Sequence, residues 1–191
     1  MYPTPTKYPT PTKYPTPTKP TLYFIGVTTT KSSIMKVFPA WARYLELGDC
    51  AIEGMDFALH DEPGKYREAV AFIKSTPLAK GALVTTHKLD LLRACRDQFD
   101  ELDEHARITG EVSCISKRDA RLFGHAKDVL TAGRALEAFL PKQHWVTTGA
   151  EALVLGAGGS AIGDLVSAES KPWRQPTLTD RCYQSIAVAT R

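Results

Sequence analysis

The sequence predicts an α/β protein with a mostly parallel sheet that carries helices on both faces. Two observations support this fold class. From Leu22 onward, short apolar runs of strand length alternate with segments whose apolar residues have helical spacing. The 191 residues are 43% hydrophobic, which is enough to bury one good core, or one complete domain and part of another.

The first predicted element is the buried strand LYFIGV. A helix follows, because Ile34, Phe38, Trp41 and Leu45 have helical spacing, and Pro39 is expected to interrupt this helix and restart it as a first-turn residue. The later elements are predicted in this order: strand AIEGMDFAL, helix DEPGKYREAVAFIKS, strand GALVTT, helix HKLDLLRACRDQF, strands within ARITGEVSCI and ARLFG, and helix KDVLTAGRALEAFL.

The chain divides into four predicted parts. Residues 1–20 repeat YPTPTK, and their frequent prolines predict a disordered, extended and dispensable tail, favoured as a spacer over a polyproline II ligand. Residues 21–126 form an α/β domain, and residues 127–150 form a linking helix and loop. Residues 151–191 begin a second domain.

The composition argues against several classes of function. The net charge of +3 is small and basic residues are scattered among acidic ones, so nucleic acid is not an expected partner. The 4 cysteines and 5 histidines show no metal-ligand spacing, which predicts free thiols and no metal site. No apolar run has the length of a membrane span and no secretory leader is visible, so we expect a cytoplasmic protein without a membrane partner.

The segment EALVLGAGGSAIGDL, residues 151–165, predicts a strand, a tight turn and a helix. A dinucleotide-binding Rossmann unit begins in this way, with the phosphate on free amides at the helix N-terminus; a plain glycine-rich loop is the alternative. Asp180 would suit the free ribose of NAD, and Arg181 would suit the 2′-phosphate of NADP. The predicted cofactor-binding residues are Gly156, Gly158, Gly159, Ser160, Ala161, Asp180 and Arg181.

Five motifs, in order along the chain, resemble those of the shikimate dehydrogenase family. GVTTTKSSIM resembles the family motif GxPIxHSxSP, LVTTHK resembles NVTxPxK with one residue fewer, and GEVSC resembles GAxNT. GHAKDVLT resembles GxNTDGxG, and VLGAGGSA resembles the start of the family's NADP-binding domain. The similarity extends from Tyr23 to Ala161.

The resemblance implies that residues 21–126 bind substrate and that residues 151–191 are an incomplete Rossmann βαβ unit. It implies reversible oxidation of a small cyclic hydroxy-acid such as shikimate or quinate, with hydride passing to NADP or, alternatively, NAD. Lys88 and Asp128 match the family's catalytic pair, in which the lysine exchanges the hydroxyl proton. A second copy of the chain, in a homodimer, is a further expected partner.

Ser32, Thr85 and Ser113 are the predicted substrate-binding residues. Residue type alone leaves other roles open, since Ser32 also suits a helix N-cap and Thr85 a buried hydroxyl bonded to the backbone. Lys88 equally suits a solvated first-turn residue, and Asp128 a carboxylate stabilised by a helix dipole.

Three of the departures from the family motifs replace a polar residue by an apolar one. Leu83, Ala126 and Ile34 stand where the motifs have asparagine, asparagine and serine, so a less hydroxylated acid is an alternative to shikimate. The alternatives to an enzyme are a non-catalytic binding module and a truncated remnant that keeps the family fold.

Overall fold

Six strands form one mixed sheet in the order β2-β1-β3-β5-β6-β4. A computed structural model describes residues 14, 16–141, 143–149, 152–155, 177–178 and 186–189. The strands of this sheet are β1 Thr21–Gly26, β2 Ala51–Asp56, β3 Ala79–Val84, β4 Glu101–Leu102, β5 Cys114–Arg118 and β6 Arg121–His125.

Parallel pairing dominates the sheet. Strand β1 is parallel to β2 and β3, and β4 is parallel to β6, whereas β5 is antiparallel to both of its neighbours, β3 and β6. The carboxyl ends of β1, β2 and β3 therefore meet at one edge, where open α/β sheets bind ligands. The α/β fold class predicted from the sequence is confirmed.

Six helices accompany the strands in the described part of the chain: α1 Ile34–Tyr44, α2 Pro63–Ser75, α3 Lys88–Cys95, α4 Glu104–Thr109, α5 Asp128–Phe139 and α6 His144–Thr148. The connections from β1 to β2 and from β2 to β3 run in opposite directions across the sheet. Right-handed crossovers therefore place α1 and α2 on opposite faces.

The main core lies between the sheet and the pair formed by α2 and α3. Tyr23 and Ile25 of β1 reach this core, together with the buried helical residues Tyr66, Val70, Ile73, Leu91 and Cys95. Phe24 alternates to the other face of the strand, where Phe38 and Ala42 of α1 are also buried. Both faces of β1 are thus covered, which explains why LYFIGV is apolar at nearly every position.

Helix α1 corrects the prediction for Pro39. The proline does not restart a helix, because α1 continues through it from Ile34 to Tyr44. Pro39 is exposed, so the carbonyl of Met35 that loses its amide donor can be solvated by water instead.

The strand predicted within ARITGEVSCI is wrong for most of that segment. Its first residues lie in helix α4, and only its last two residues lie in β5. Asp103 caps the helix by accepting a 2.8 Å hydrogen bond from the amide of Ala106, and Gly110 ends it in the left-handed conformation. The two caps satisfy backbone amides and carbonyls at the ends of the helix. This stabilisation outweighs the strand propensity of the β-branched residues Ile108 and Thr109.

A second sheet has the order β7-β9-β8, with β7 Ala152–Leu155, β8 Thr177–Leu178 and β9 Ile186–Ala189. The strand predicted before the glycine-rich turn is present as β7. Both pairings are antiparallel, which differs from the parallel pairing expected of a βαβ unit. The apolar run of β9 occupies the place beside β7, and the predicted helix after β7 lies outside the described residues.

The end of the repeat tail contacts the fold. The ring of Tyr14 lies 5.3 Å from that of Phe72, and burial raises the pKa of the Tyr14 hydroxyl to about 12. Pro17 is buried, and Lys19 forms a 2.8 Å ion pair with Asp49. The extended, solvated conformation predicted for residues 1–20 therefore does not describe this end of the tail.

Among the described residues, the structure contains no helix that is long and apolar enough to span a membrane. Three of the cysteines, Cys50, Cys95 and Cys114, are free thiols, and Cys182 lies outside the described residues.

Candidate active site

Lys88 and Asp128 form an ion pair between the first residues of two helices. Lys88 begins α3 and Asp128 begins α5, and the Lys88 ammonium donates a hydrogen bond to Oδ2 of Asp128. The side chain of Lys88 is 12% exposed and that of Asp128 is 34% exposed. The pair is therefore shielded but still reachable by a small molecule.

A tight connection sets the position of Lys88. Only Thr85, Thr86 and His87 separate β3 from α3, and Thr86 adopts the left-handed conformation with φ of 57°. The amide of Val112 donates a 3.2 Å hydrogen bond to the carbonyl of Lys88, which fixes the start of α3 against the segment before β5.

His87 anchors the same turn from inside the core. It is 1% exposed, its Nδ1 lies 2.9 Å from the hydroxyl of Tyr66, and its ring packs edge-on against Phe57. Burial lowers the pKa of His87, so the imidazole is favoured in its neutral form. We assign His87 a structural role.

Ser113 supports the segment that carries Asp128. Its hydroxyl accepts a 2.8 Å hydrogen bond from the amide of Lys127 and lies 3.4 Å from the carbonyl of His125, to which it donates. The residue is buried. Its hydroxyl therefore bonds only backbone groups among the described residues, and it affects the ion pair indirectly, by fixing the first turn of α5.

Ser32 and Thr85 lie beyond the carboxyl ends of β1 and β3. Thr85 is partly buried, and its amide donates a 3.0 Å hydrogen bond to the carbonyl of Ile25. Ser32 ends a short 3-10 turn, Thr29–Lys31, and Ser33 occupies the N-cap position of α1. Ser32 is therefore not the N-cap, the alternative role that the sequence left open.

Asp56 holds the turn that precedes Ser32. At the end of β2, its Oδ1 accepts hydrogen bonds from the hydroxyl and the amide of Thr29, at 2.6 and 2.8 Å. These bonds lower the pKa of Asp56, which keeps the carboxylate charged. A carboxylate that accepts two bonds in this way fixes the connection between β1 and α1.

A polar network that the sequence did not predict lies beside the pair. Oδ2 of Asp103 is 3.0 Å from the ammonium of Lys127 and 3.4 Å from Nδ1 of His125, whose Nε2 is 2.9 Å from the hydroxyl of Ser116. Burial acts to raise the pKa of Asp103, but hydrogen bonds from Ala106, Lys127 and Ala126 outweigh it and the pKa is lowered. Asp103 therefore remains charged and holds the residue next to Asp128.

Glu111 is the second feature missed from the sequence. Its side chain is fully buried, and both carboxylate oxygens lack a hydrogen-bond partner in the part of the chain that the structure describes. The signal was a charged residue in the second position of GEVSC, where the family motif has alanine.

The positions that depart from the family motifs lie around the same edge. Ala126 is fully buried, whereas Leu83 and Ile34 are partly buried. Apolar side chains thus replace three groups that could form hydrogen bonds. The predicted cofactor residues Gly156, Gly158, Gly159, Ser160, Ala161, Asp180 and Arg181 lie outside the described residues.

The sequence aligns with curated proteins over most of this fold. It is 36% identical over 130 residues to the shikimate dehydrogenase (NADP(+)) of Geobacillus kaustophilus, an alignment that covers 68% of the chain and 45% of that protein. Over the matched part, the chain resembles the shikimate dehydrogenase family. The protein of the same name from another Geobacillus species is 30% identical over 135 residues, which cover 69% of the chain and 44% of that relative.

Solved structures of shikimate dehydrogenases share the fold. The enzyme from Aquifex aeolicus superimposes with a TM-score of 0.61 and 19% identity, over 80% of this chain and 52% of that one. The enzyme from Thermus thermophilus, in complex with NADP(H) and shikimate, gives a TM-score of 0.55 at 20% identity, over 78% of this chain and 52% of that one. No family model matches the chain. The chain spans about half the length of the shikimate dehydrogenases that it matches.

Proposed function

We propose that this chain acts in a shikimate dehydrogenase reaction, in which hydride passes between NADP and a small cyclic hydroxy-acid. The observation that carries the proposal is the ion pair of Lys88 and Asp128 at the first turns of α3 and α5. The non-catalytic binding module is the less favoured alternative, because both members of the pair are retained and in contact.

Lys88 is proposed as the acid and base. When the alcohol is oxidised, the neutral amine of Lys88 takes the hydroxyl proton, and in the reverse direction its ammonium returns that proton to the oxygen. Asp128 orients the ammonium and favours its charged form through the ion pair. NADP, or alternatively NAD, supplies the hydride acceptor when it is bound.

The substrate is proposed to lie between Ser32, Thr85 and the Lys88 ammonium. Ser32 would donate to the carboxylate and Thr85 would bond a ring hydroxyl, since both follow strands whose carboxyl ends meet at this edge. Ser113 would act through the backbone, because its hydroxyl is bonded to Lys127. The apolar residues at this edge favour an acid with fewer ring hydroxyls than shikimate. Quinate, which the family resemblance also implies, is a second candidate substrate, but its additional hydroxyl fits these residues less well.

We further propose that residues 21–126 bind this acid, that residues 127–150 link them to the dinucleotide-binding segment 151–191, and that the reaction takes place in the cytoplasm. A homodimer is proposed from the exposed apolar side chains of α1, among which Trp41 is 55% and Tyr44 87% exposed. Sedimentation equilibrium of the chain over a range of concentrations tests the dimer.

The test of the function is NADP⁺ reduction, followed at 340 nm, with shikimate, quinate and simpler cyclic hydroxy-acids. We expect reduction with at least one acid, and its loss in Lys88→Gln. Lys80→Gln is the matched control, because Lys80 is exposed near the amino end of β3, at the edge opposite to the pair. If the unmutated chain binds an acid by calorimetry but reduces no cofactor with any of them, the binding module replaces the enzyme.

A further inference from the structure

Glu111 is a buried ionisable group whose carboxyl has no hydrogen-bond partner among the described residues. Burying a carboxyl without a hydrogen bond costs several kcal/mol in its charged form, and buried polar groups are nearly always bonded. Yet the Glu111 side chain is fully buried, and neither carboxylate oxygen is hydrogen-bonded within the described part of the fold. A carboxyl at this position therefore calls for a role beyond packing.

The surroundings of Glu111 point to that role. The residue follows Gly110, which ends α4 in the left-handed conformation, and the next amide, of Val112, donates to the carbonyl of Lys88. The chain at Glu111 is thereby held against the start of α3. The charges of Lys88 and Asp128 both act on the Glu111 carboxyl.

Two neighbouring charged groups are engaged elsewhere. Lys127, the residue before α5, is paired with Asp103, and Asp90 of α3 is 2.9 Å from Nδ1 of His60. Of the charges that act on Glu111, Lys88 is the cation and Asp128 is the competing carboxylate.

We infer that Glu111 is a positioning residue for Lys88, an inference that rests on the proposed function. Glu111 supplies a second carboxyl, which acts with Asp128 on the Lys88 ammonium. Burial raises the pKa of Glu111 and Asp128 raises it further, while Lys88 opposes the shift. Glu111 is thus favoured as a neutral acid while the ion pair is intact. Above its own pKa it becomes a second negative charge that attracts the Lys88 ammonium.

The alanine of the family motif cannot supply this charge. The glutamate therefore distinguishes the chain from the pattern that it otherwise resembles, and it changes the proton exchange assigned to Lys88. Glu111→Gln is the informative variant, because it has nearly the same shape as the neutral acid and cannot ionise.

The experiment measures how readily Lys88 reacts with acetic anhydride across a pH series, with the modified peptide quantified by mass spectrometry and Lys36 as the internal reference. In Glu111→Gln, Lys88 should react up to about tenfold faster at a given pH, as expected for loss of one nearby opposite charge. Asp128→Asn should shift the profile in the same direction, and Glu101→Gln, an exposed glutamate of β4, should leave it unchanged.

A Glu111→Gln profile identical to that of the unmutated chain, beside a shifted profile for Asp128→Asn, would overturn the inference. If Glu111→Gln does not fold, the carboxyl of Glu111 is titrated by NMR in ¹³C-glutamate-labelled protein and in Lys88→Gln. We expect it to titrate at higher pH once the lysine charge is removed, and an unchanged titration would again overturn the inference. Neither measurement uses substrate or cofactor, so a failure of the dehydrogenase proposal remains distinguishable.

Discussion

The hydroxyl of Ser113 accepts a 2.8 Å hydrogen bond from the amide of Lys127 and so joins the segment before β5 to the first turn of α5. Asp128 is the next residue, and its position opposite Lys88 depends on this bond. The buried hydroxyl thus links the packing of the sheet to the geometry of the ion pair.

Ser113→Ala should therefore destabilise the protein by about 1–3 kcal/mol, because the amide of Lys127 loses its acceptor and the buried hydroxyl is removed. Urea unfolding followed by circular dichroism measures the change. Ser116→Ala is the matched control, since Ser116 lies on β5 and its hydroxyl bonds only the His125 side chain among the described residues. Equal destabilisation by the two variants would contradict the role given to Ser113.

Gly81→Ala should be among the most damaging single-methyl changes in β3. Gly81 has φ of +139°, and a Cβ placed on it would lie 2.0 Å from the carbonyl oxygen of Ile115 in the neighbouring strand. Backbone cannot move aside as a side chain can, so we expect a loss of at least about 2 kcal/mol in the free energy of unfolding. Gly64→Ala provides the control, because no atom lies within 4 Å of the added methyl in α2.

The tail gives a prediction with two deletions. Removing residues 1–13 should leave the melting temperature unchanged, whereas removing residues 1–20 should lower it by several degrees. The second deletion removes the contact of Tyr14 with Phe72 and the ion pair of Lys19 with Asp49. Differential scanning calorimetry decides between this result and a tail that is dispensable throughout.

The sequence predicted the main strands and the residues of the ion pair, because both follow from local patterns. Apolar runs mark β1 and β3, and the family motifs mark Lys88 and Asp128. It missed α4, whose existence depends on a cap at Asp103 and a turn at Gly110 that outweigh local strand propensity. It also missed the environment of Glu111, since burial and the absence of a partner arise from packing between segments distant in sequence.

Glu111 should make stability depend on pH. Its pKa in the folded state is raised above the ordinary value of 4.5, so the folded state binds the proton more tightly than the unfolded state. The resulting stabilisation is fully present below pH 4.5 and is lost as the pH rises through the folded-state pKa. Urea unfolding at a series of pH values measures this effect. As the pH rises through the folded-state pKa, the free energy of unfolding of the unmutated chain should fall relative to that of Glu111→Gln. Relative to that of Glu101→Gln, which keeps Glu111, it should not fall in this way.

Lys88 and Asp128 should behave as one unit in catalysis. In the NADP⁺ reduction assay, Lys88→Ala should lower kcat about a hundredfold or more and change KM little, because general acid and base help is expressed in the transition state. Asp128→Asn should lower kcat by a comparable factor, since it removes the carboxylate that accepts a hydrogen bond from the Lys88 ammonium and orients it. The double variant should then be little slower than either single variant, because each change already disables the shared proton exchange. Multiplied losses in the double variant would instead show that the two residues contribute independently, and the ion pair would not be the catalytic unit.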